Sequence, residues 1–266
     1  MRKLTHALVL AGIVGLPGVM VAHSAQAEEA ASPHTFTGNV TLASEYIYRG
    51  IGQTNRKPAI QGGFDYSHSS GFYLGTWASN VSWLSDTGTP GLSNSLEWDF
   101  YGGFKGAFND DWTYDVGVLR YYYPGTYPAG FVSPDTTEVY GAIGWKWISL
   151  KYSHSTTDLF GFNSPTGQDT EGSGYLDLSA SYDLGNGWGI NGHVGHQKVK
   201  NYSDASYTDW KIGVTKDVGF GTVGLAYIDT NANDDCSVGG PTNPYCNVPG
   251  KDLGSGRGVI TFSKTF

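Results

Sequence analysis

The feature that most constrains this chain is a period of two, apolar against polar, sustained in segments too long for an ordinary soluble sheet. In the stretch 35–49, Phe36, Gly38, Val40 and Leu42 alternate with Thr37, Asn39, Thr41, Ala43, Glu45, Ile47 and Arg49. In 94–108, Leu96, Trp98, Phe100 and Phe104 alternate with Glu97, Asp99, Tyr101 and Lys105. Twelve such segments follow one another: 35–49, 58–68, 71–83, 94–108, 112–123, 135–146, 148–158, 173–184, 188–199, 207–217, 220–230 and 255–266. Strands of soluble sheets run to about 5–6 residues. A strand tilted across a bilayer needs about 9–11, which is what these segments supply. The pattern therefore predicts an all-β chain, a transmembrane antiparallel up-and-down β-barrel of about 12 strands. Closure leaves no unpaired edge in lipid.

The connections support this. Short turns at 68–71, 109–111, 146–147, 185–187 and 218–219 alternate with long polar loops at 50–57, 84–93, 124–134, 159–172, 200–206 and 231–254. Outer-membrane barrels have short periplasmic turns and long outer loops, and an even strand number puts both termini in the periplasm. Phe36, Tyr66, Phe72, Phe104, Phe108, Trp112, Trp145, Trp147, Tyr182, Trp188, Phe220, Phe262 and Phe266 all flank a short turn or a terminus. That is the placement of an aromatic girdle at one membrane interface. The high glycine content, 39 residues, and the 14% aromatics suit a sheet with both faces to fill.

Arg2 and Lys3, the apolar run from Ala7 to Val21, and Ala25-Gln26-Ala27 read as a cleaved export signal over 1–27. A short periplasmic segment, 28–34, then precedes a barrel spanning 35–266. Loss of the leader deepens the net charge from −8 to −10. Such an acidic chain is a poor partner for nucleic acid, which selects clustered cations. Cys236 and Cys246, in the last long loop, read as a disulfide in an oxidising compartment. No cofactor or metal is expected. The stretch from Asp229 to Asp235 begins like a calcium loop but has Asp234 and Gly240 where that loop needs Gly and Glu.

Several stretches resemble the TorF family of porins. They include Ser44-Glu45-Tyr46-Ile47-Tyr48-Arg49-Gly50, Pro58-Ala59-Ile60-Gln61-Gly62-Gly63-Phe64, Glu97-Trp98-Asp99-Phe100-Tyr101 and Asp209-Trp210-Lys211-Ile212. The resemblance covers essentially the whole mature chain. It implies a pore-forming outer-membrane protein and brings no catalytic residues and no known substrate.

Function then rests on the inward face. Strand parity gives the acids Glu45, Asp65, Glu97, Asp99, Asp115, Glu138, Asp177, Asp183, Asp209 and Asp229 as lumen candidates. The bases are Arg49, Lys105, Lys146, Lys151, Lys211 and Arg257, and His193 is also expected to face inward. Acids outnumber bases, so a porin or small-solute channel with a mildly acidic lumen and weak cation preference is expected. A lumen plugged by its own ion pairs, such as Glu45 with Arg49 or Asp99 with Lys105, is the alternative. A lipid hydrolase using His154, Ser155 and Asp158 is a third reading. Adjacent strand residues point to opposite faces, so it lacks a nucleophile–base pair. Expected partners are outer-membrane lipid, small solutes or ions, and the chaperones and barrel-assembly machinery that read the terminal Phe266.

Overall fold

The computed structural model describes residues 32–237, 243–247 and 251–266. The leader 1–27 and its cleavage site lie outside them, as does Gly240. Twelve long strands form the wall: β1 His34–Ala43, β2 Ala59–His68, β3 Phe72–Asn80, β4 Leu96–Ala107, β5 Trp112–Tyr122 and β6 Thr136–Trp145. They continue as β7 Ile148–Ser155, β8 Gly174–Gly185, β9 Trp188–Lys198, β10 Tyr207–Asp217, β11 Thr222–Thr230 and β12 Arg257–Thr265. Each pairs antiparallel with its sequence neighbours, and β12 returns to β1 to close the barrel. The seam runs from Asn39 opposite Thr265 to Ala43 opposite Thr261. Phe266 and Gly38 exchange backbone hydrogen bonds of 2.8 and 3.2 Å at its end. No helix among the described residues is long and apolar enough to cross a membrane; the strands do the crossing.

The outward residues make the solvent argument. Leu42, Ile60, Phe64, Leu74, Val116, Ile143, Leu178, Ile212, Leu225 and Ile260 are all exposed, and they come from strands all round the wall. A soluble monomer rarely exposes a contiguous apolar patch above a few hundred Å². A continuous apolar belt is stable only against lipid, so this is a transmembrane barrel. The expected girdle at the short-turn end is present, with Phe36, Phe108, Trp147, Trp188, Phe220 and Phe266 exposed. A second ring, not anticipated from sequence, lies toward the long-loop end: Trp98, Tyr122, Tyr152, Trp210 and Tyr227. Lys264, an odd residue for the outward face, holds its ammonium 5.8 Å from the Phe266 ring, at the level where a lysine can reach water.

Inside, tyrosines lie across glycines of the neighbouring strand. Tyr101 stands opposite Gly75 and Tyr140 opposite Gly117. A Cβ on either glycine would run into the tyrosine ring. Much of the glycine content thus seats large side chains flat against the wall, a device that also pins register.

Three expected positions need correction. The first segment does not continue as strand to residue 49: β1 stops at Ala43. Arg49 and Gly50 then take left-handed φ of 46° and 79°. The chain folds back as a small hairpin, Ile47–Tyr48 against Ile51–Gly52. Its alternation persisted because the hairpin is itself extended and packed on both faces. Lys146 sits in the two-residue turn between β6 and β7 with φ of 53°. Its ammonium lies 3.7 Å from Asp111, away from the lumen wall. Asp229 lies opposite the outward Trp210, on the parity of Leu225 and Tyr227, so it belongs to the outer face at the long-loop rim.

Candidate functional site

The lumen holds the first long loop, 44–58. Ser44 is hydrogen-bonded to Ile260 across the seam, and from there the loop turns inward. Its hairpin is closed by Gln53 N–H donating to Tyr46 O at 2.8 Å and Tyr46 N–H donating to Thr54 Oγ1 at 3.0 Å. The tip carries Arg49 across the lumen to wall strands near their long-loop ends.

There Arg49 forms a two-pronged pair with Glu138 of β6, at 2.9 and 2.7 Å. One of its nitrogens also donates to Gln197 Oε1 of β9 at 2.8 Å. The guanidinium lies 4.2 Å from the Tyr175 ring centroid and 4.9 Å from that of Tyr48. The side chains of Arg49 and Glu138 are 8% and 2% exposed. Only a planar fork can satisfy a carboxylate and an amide at once while stacked between rings, so lysine could not replace Arg49 here. Tyr48 Oη meets Tyr121 Oη of β5 at 2.5 Å, and Tyr121 reaches Glu138 at 3.4 Å.

The loop's base is held equally firmly. Arg257 of β12 donates to Glu45 Oε1 at 2.9 Å. Tyr46 and Tyr123 each donate to Glu97 of β4 at 2.7 Å. Beyond the rim, Asn55 and Ser82 donate to Asp86 at 2.8 and 2.7 Å, tying the first long loop to the second. Burial pushes the Asp86 carboxyl up, but those donors and nearby Lys57 bring it below the usual carboxylate range.

The remaining wall charges alternate in sign across strand pairs, where Cβ atoms are close. Lys105 faces Asp115, and Lys151 faces Asp177. Asp115 accepts from Tyr73 at 2.6 Å and Asp65 from Tyr101 at 2.6 Å. His193 does face inward, 2.9 Å from Asp177 and 3.5 Å from Asp209. Tyr175 also donates to Asp209 at 2.9 Å. Lys211 lines the cavity described below. Asp99 is completely buried, and neither of its oxygens has a hydrogen-bond partner among the described residues. The anticipated pairs Glu45 with Arg49 and Asp99 with Lys105 are therefore not formed; Arg49 reaches β6 across the lumen, and Glu45 pairs with Arg257 on the neighbouring strand β12. Asp183 is exposed at the short-turn end and caps the turn by accepting from Gly185 N–H at 2.8 Å.

The other expected groupings are accounted for locally. Cys236 and Cys246 are joined, with Cα atoms 5.4 Å apart. Ser155 Oγ donates to Thr157 O at 2.6 Å, and Asp158 accepts from Thr170 N–H at 2.8 Å, so neither is turned toward His154 as a triad would need. Asp235 accepts from Ser237 N–H at 3.1 Å.

Beside the hairpin runs a partly open cavity. It extends from Gln61 and Trp77, near the long-loop end, past Lys211 and Thr261 to Asn191 and Thr215, near the short-turn end. The hairpin thus fills one part of the lumen and leaves a side passage along β9 to β12, mostly apolar in lining, with Glu45, Gln61, Asn191, Lys211, Thr215 and Thr261 as its polar side chains.

Comparison with known proteins places the fold. A bacterial family described as a protein of unknown function (Gcw_chp) matches residues 27–266. No curated protein matches the chain. Among solved structures, the KdgM porin is similar at a TM-score of 0.51 and 6% identity, covering 86% of this chain and 98% of that one. The NanC porin is similar at 0.50 and 11% identity, covering 87% and 98%. An outer-membrane channel from Pseudomonas putida is similar at 0.50 and 11% identity, covering 90% and 97%. At these identities the likeness is one of barrel architecture.

Proposed function

This chain belongs to the Gcw_chp family, and we propose that it is an outer-membrane channel for small solutes, without enzymatic activity. The side passage past the loop hairpin is the observation that carries this reading. A purely structural barrel has no need of a cavity, with charged and amide side chains in its lining, running from one end of its wall toward the other. The sequence resemblance to the TorF family of porins supports it, and so do the names of the solved barrels that share the architecture. In this reading the chain is exported by its cleaved leader in a Gram-negative cell. Both termini are periplasmic, the long loops and the disulfide lie outside, and Phe266 engages the barrel-assembly machinery.

The solute path is mildly acidic. Acids outnumber bases on the inward face as a whole, and of those charges Glu45 and Lys211 line the passage itself. The Arg49–Glu138 pair, bridging the lumen near its long-loop end, favours a second reading, a barrel closed by its own loop.

Uptake into liposomes separates the two. Refolded protein is expected to admit glycine and glycerol quickly and to exclude disaccharides, since the hairpin occupies much of the cross-section. Failure to admit even glycerol, with the barrel demonstrably folded, would favour the closed reading.

A further inference from the structure

Above the hairpin, at the long-loop end, lies a second, partly open cavity. Five long loops converge on it, and its lining is dominated by rings. Phe160 stands edge-on to Tyr48 with centroids 5.8 Å apart and 80° between planes. Trp83 stands edge-on to Tyr123 at 5.8 Å, and Tyr207 to Tyr245 at 5.0 Å. Phe160 is held there by a left-handed backbone, φ 49°, unusual for a bulky residue. Ile51, Leu159 and Leu253 complete the apolar surface.

The hydrogen-bond inventory decides what such a cup can hold. Tyr48 Oη is bound to Tyr121 and Tyr123 Oη donates to Glu97. The Tyr245 hydroxyl donates to the Ala205 carbonyl. The Gln53 amide nitrogen donates to Ile51 O and that of Gln197 to Gly174 O. The polar ends of these lining residues point into the wall and the loops, and their apolar faces border the cavity. The indole N–H of Trp83, also in the lining, has no partner among the described residues; a sugar subsite needs more than this, with several free donors and acceptors converging on the ligand's hydroxyls.

We propose that this cup binds a small, neutral aromatic ring compound at the mouth of the barrel. Edge-to-face contacts supply the geometry, and burial of apolar surface supplies the affinity. The inference deepens the channel reading by naming the solute class that would enter, and equilibrium binding tests it separately from conduction.

The test uses the full chain in lipid nanodiscs, with empty discs as the reference for partitioning. Benzyl alcohol is expected to show saturable binding above that reference, and maltose none. Phe160→Ala should weaken benzyl alcohol about ten-fold, and Leu253→Trp, which fills the cup, should remove the saturable component. Leu253→Trp keeps the test sound if Phe160→Ala fails to fold. Absence of saturable benzyl alcohol binding, binding unmoved by either variant, or saturable maltose binding lost in both would overturn the proposal. Binding without any conductance would leave the cup standing and remove the channel.

Discussion

Replacing Arg49 with alanine is expected to raise single-channel conductance several-fold and to lower barrel stability by about 3–5 kcal/mol. The stability loss follows from what remains. Glu138 would be left as a buried carboxylate deprived of its two-pronged partner, and Tyr175 and Tyr48 would lose the cation stacked between them. The conductance change follows from the loop. Arg49 supplies the hairpin tip's charged anchors, to Glu138 and Gln197 on two different strands. Without it the tip keeps only uncharged contacts, Tyr48 with Tyr121 and Phe160, Gly52 N–H with Leu253 O, and Gln53 O with the N–H groups of Ser82 and Trp83, each hydrogen bond worth about 1 kcal/mol, against the conformational freedom the loop would regain. Adding Glu138→Ala to Arg49→Ala should restore much of the lost stability, because the orphaned charge is gone, while leaving the conductance high. Planar-bilayer recording and urea unfolding in lipid check the two halves. Unchanged conductance in both variants would mean that the hairpin does not narrow the path.

The second large effect is on the outer surface. Ile212→Arg, at the middle of β10 on the lipid side, should destabilise the protein in bilayers by about 2–4 kcal/mol. Asn191→Lys, facing the side passage one strand away, should move stability by less than about 0.5 kcal/mol. Were the outward face in water, Ile212→Arg would be as mild as any surface change. Equal effects of the two variants on unfolding in lipid would contradict the assignment of faces.

Architecture was largely legible in the chain. The strand β10 runs over Tyr207–Asp217, as its alternation predicts, and the other wall strands differ from expectation by a few residues at their ends. Alternation is imposed by the two solvents a barrel wall separates, so it survives in sequence without regard to partners. The interior was legible only in part. Parity assigned Glu97, Glu138, Asp177, Asp209 and Lys211 to the inner face, and each lies within a strand that keeps its alternation. It misplaced Lys146, where a turn breaks the strand's geometry, and Asp229, where charge was a poorer guide than the apolar alternation of its own strand. It could not foresee that Arg49 pairs with Glu138, a partner 89 positions away. Nothing local encodes which far strand an inserted loop will meet. One signal was available: two glycines and an arginine packed among tyrosines at 46–52 favour a tight turn as much as a strand end. The second girdle was missed because long-loop aromatics are mixed with those that fill the mouth.

The most direct test of the account is a bilayer recording of the wild-type protein under a potassium chloride gradient. The account predicts discrete, small conductance steps whose reversal potential is displaced modestly toward that of potassium. A folded barrel that gives no steps, or one whose reversal potential lies on the chloride side, would contradict it.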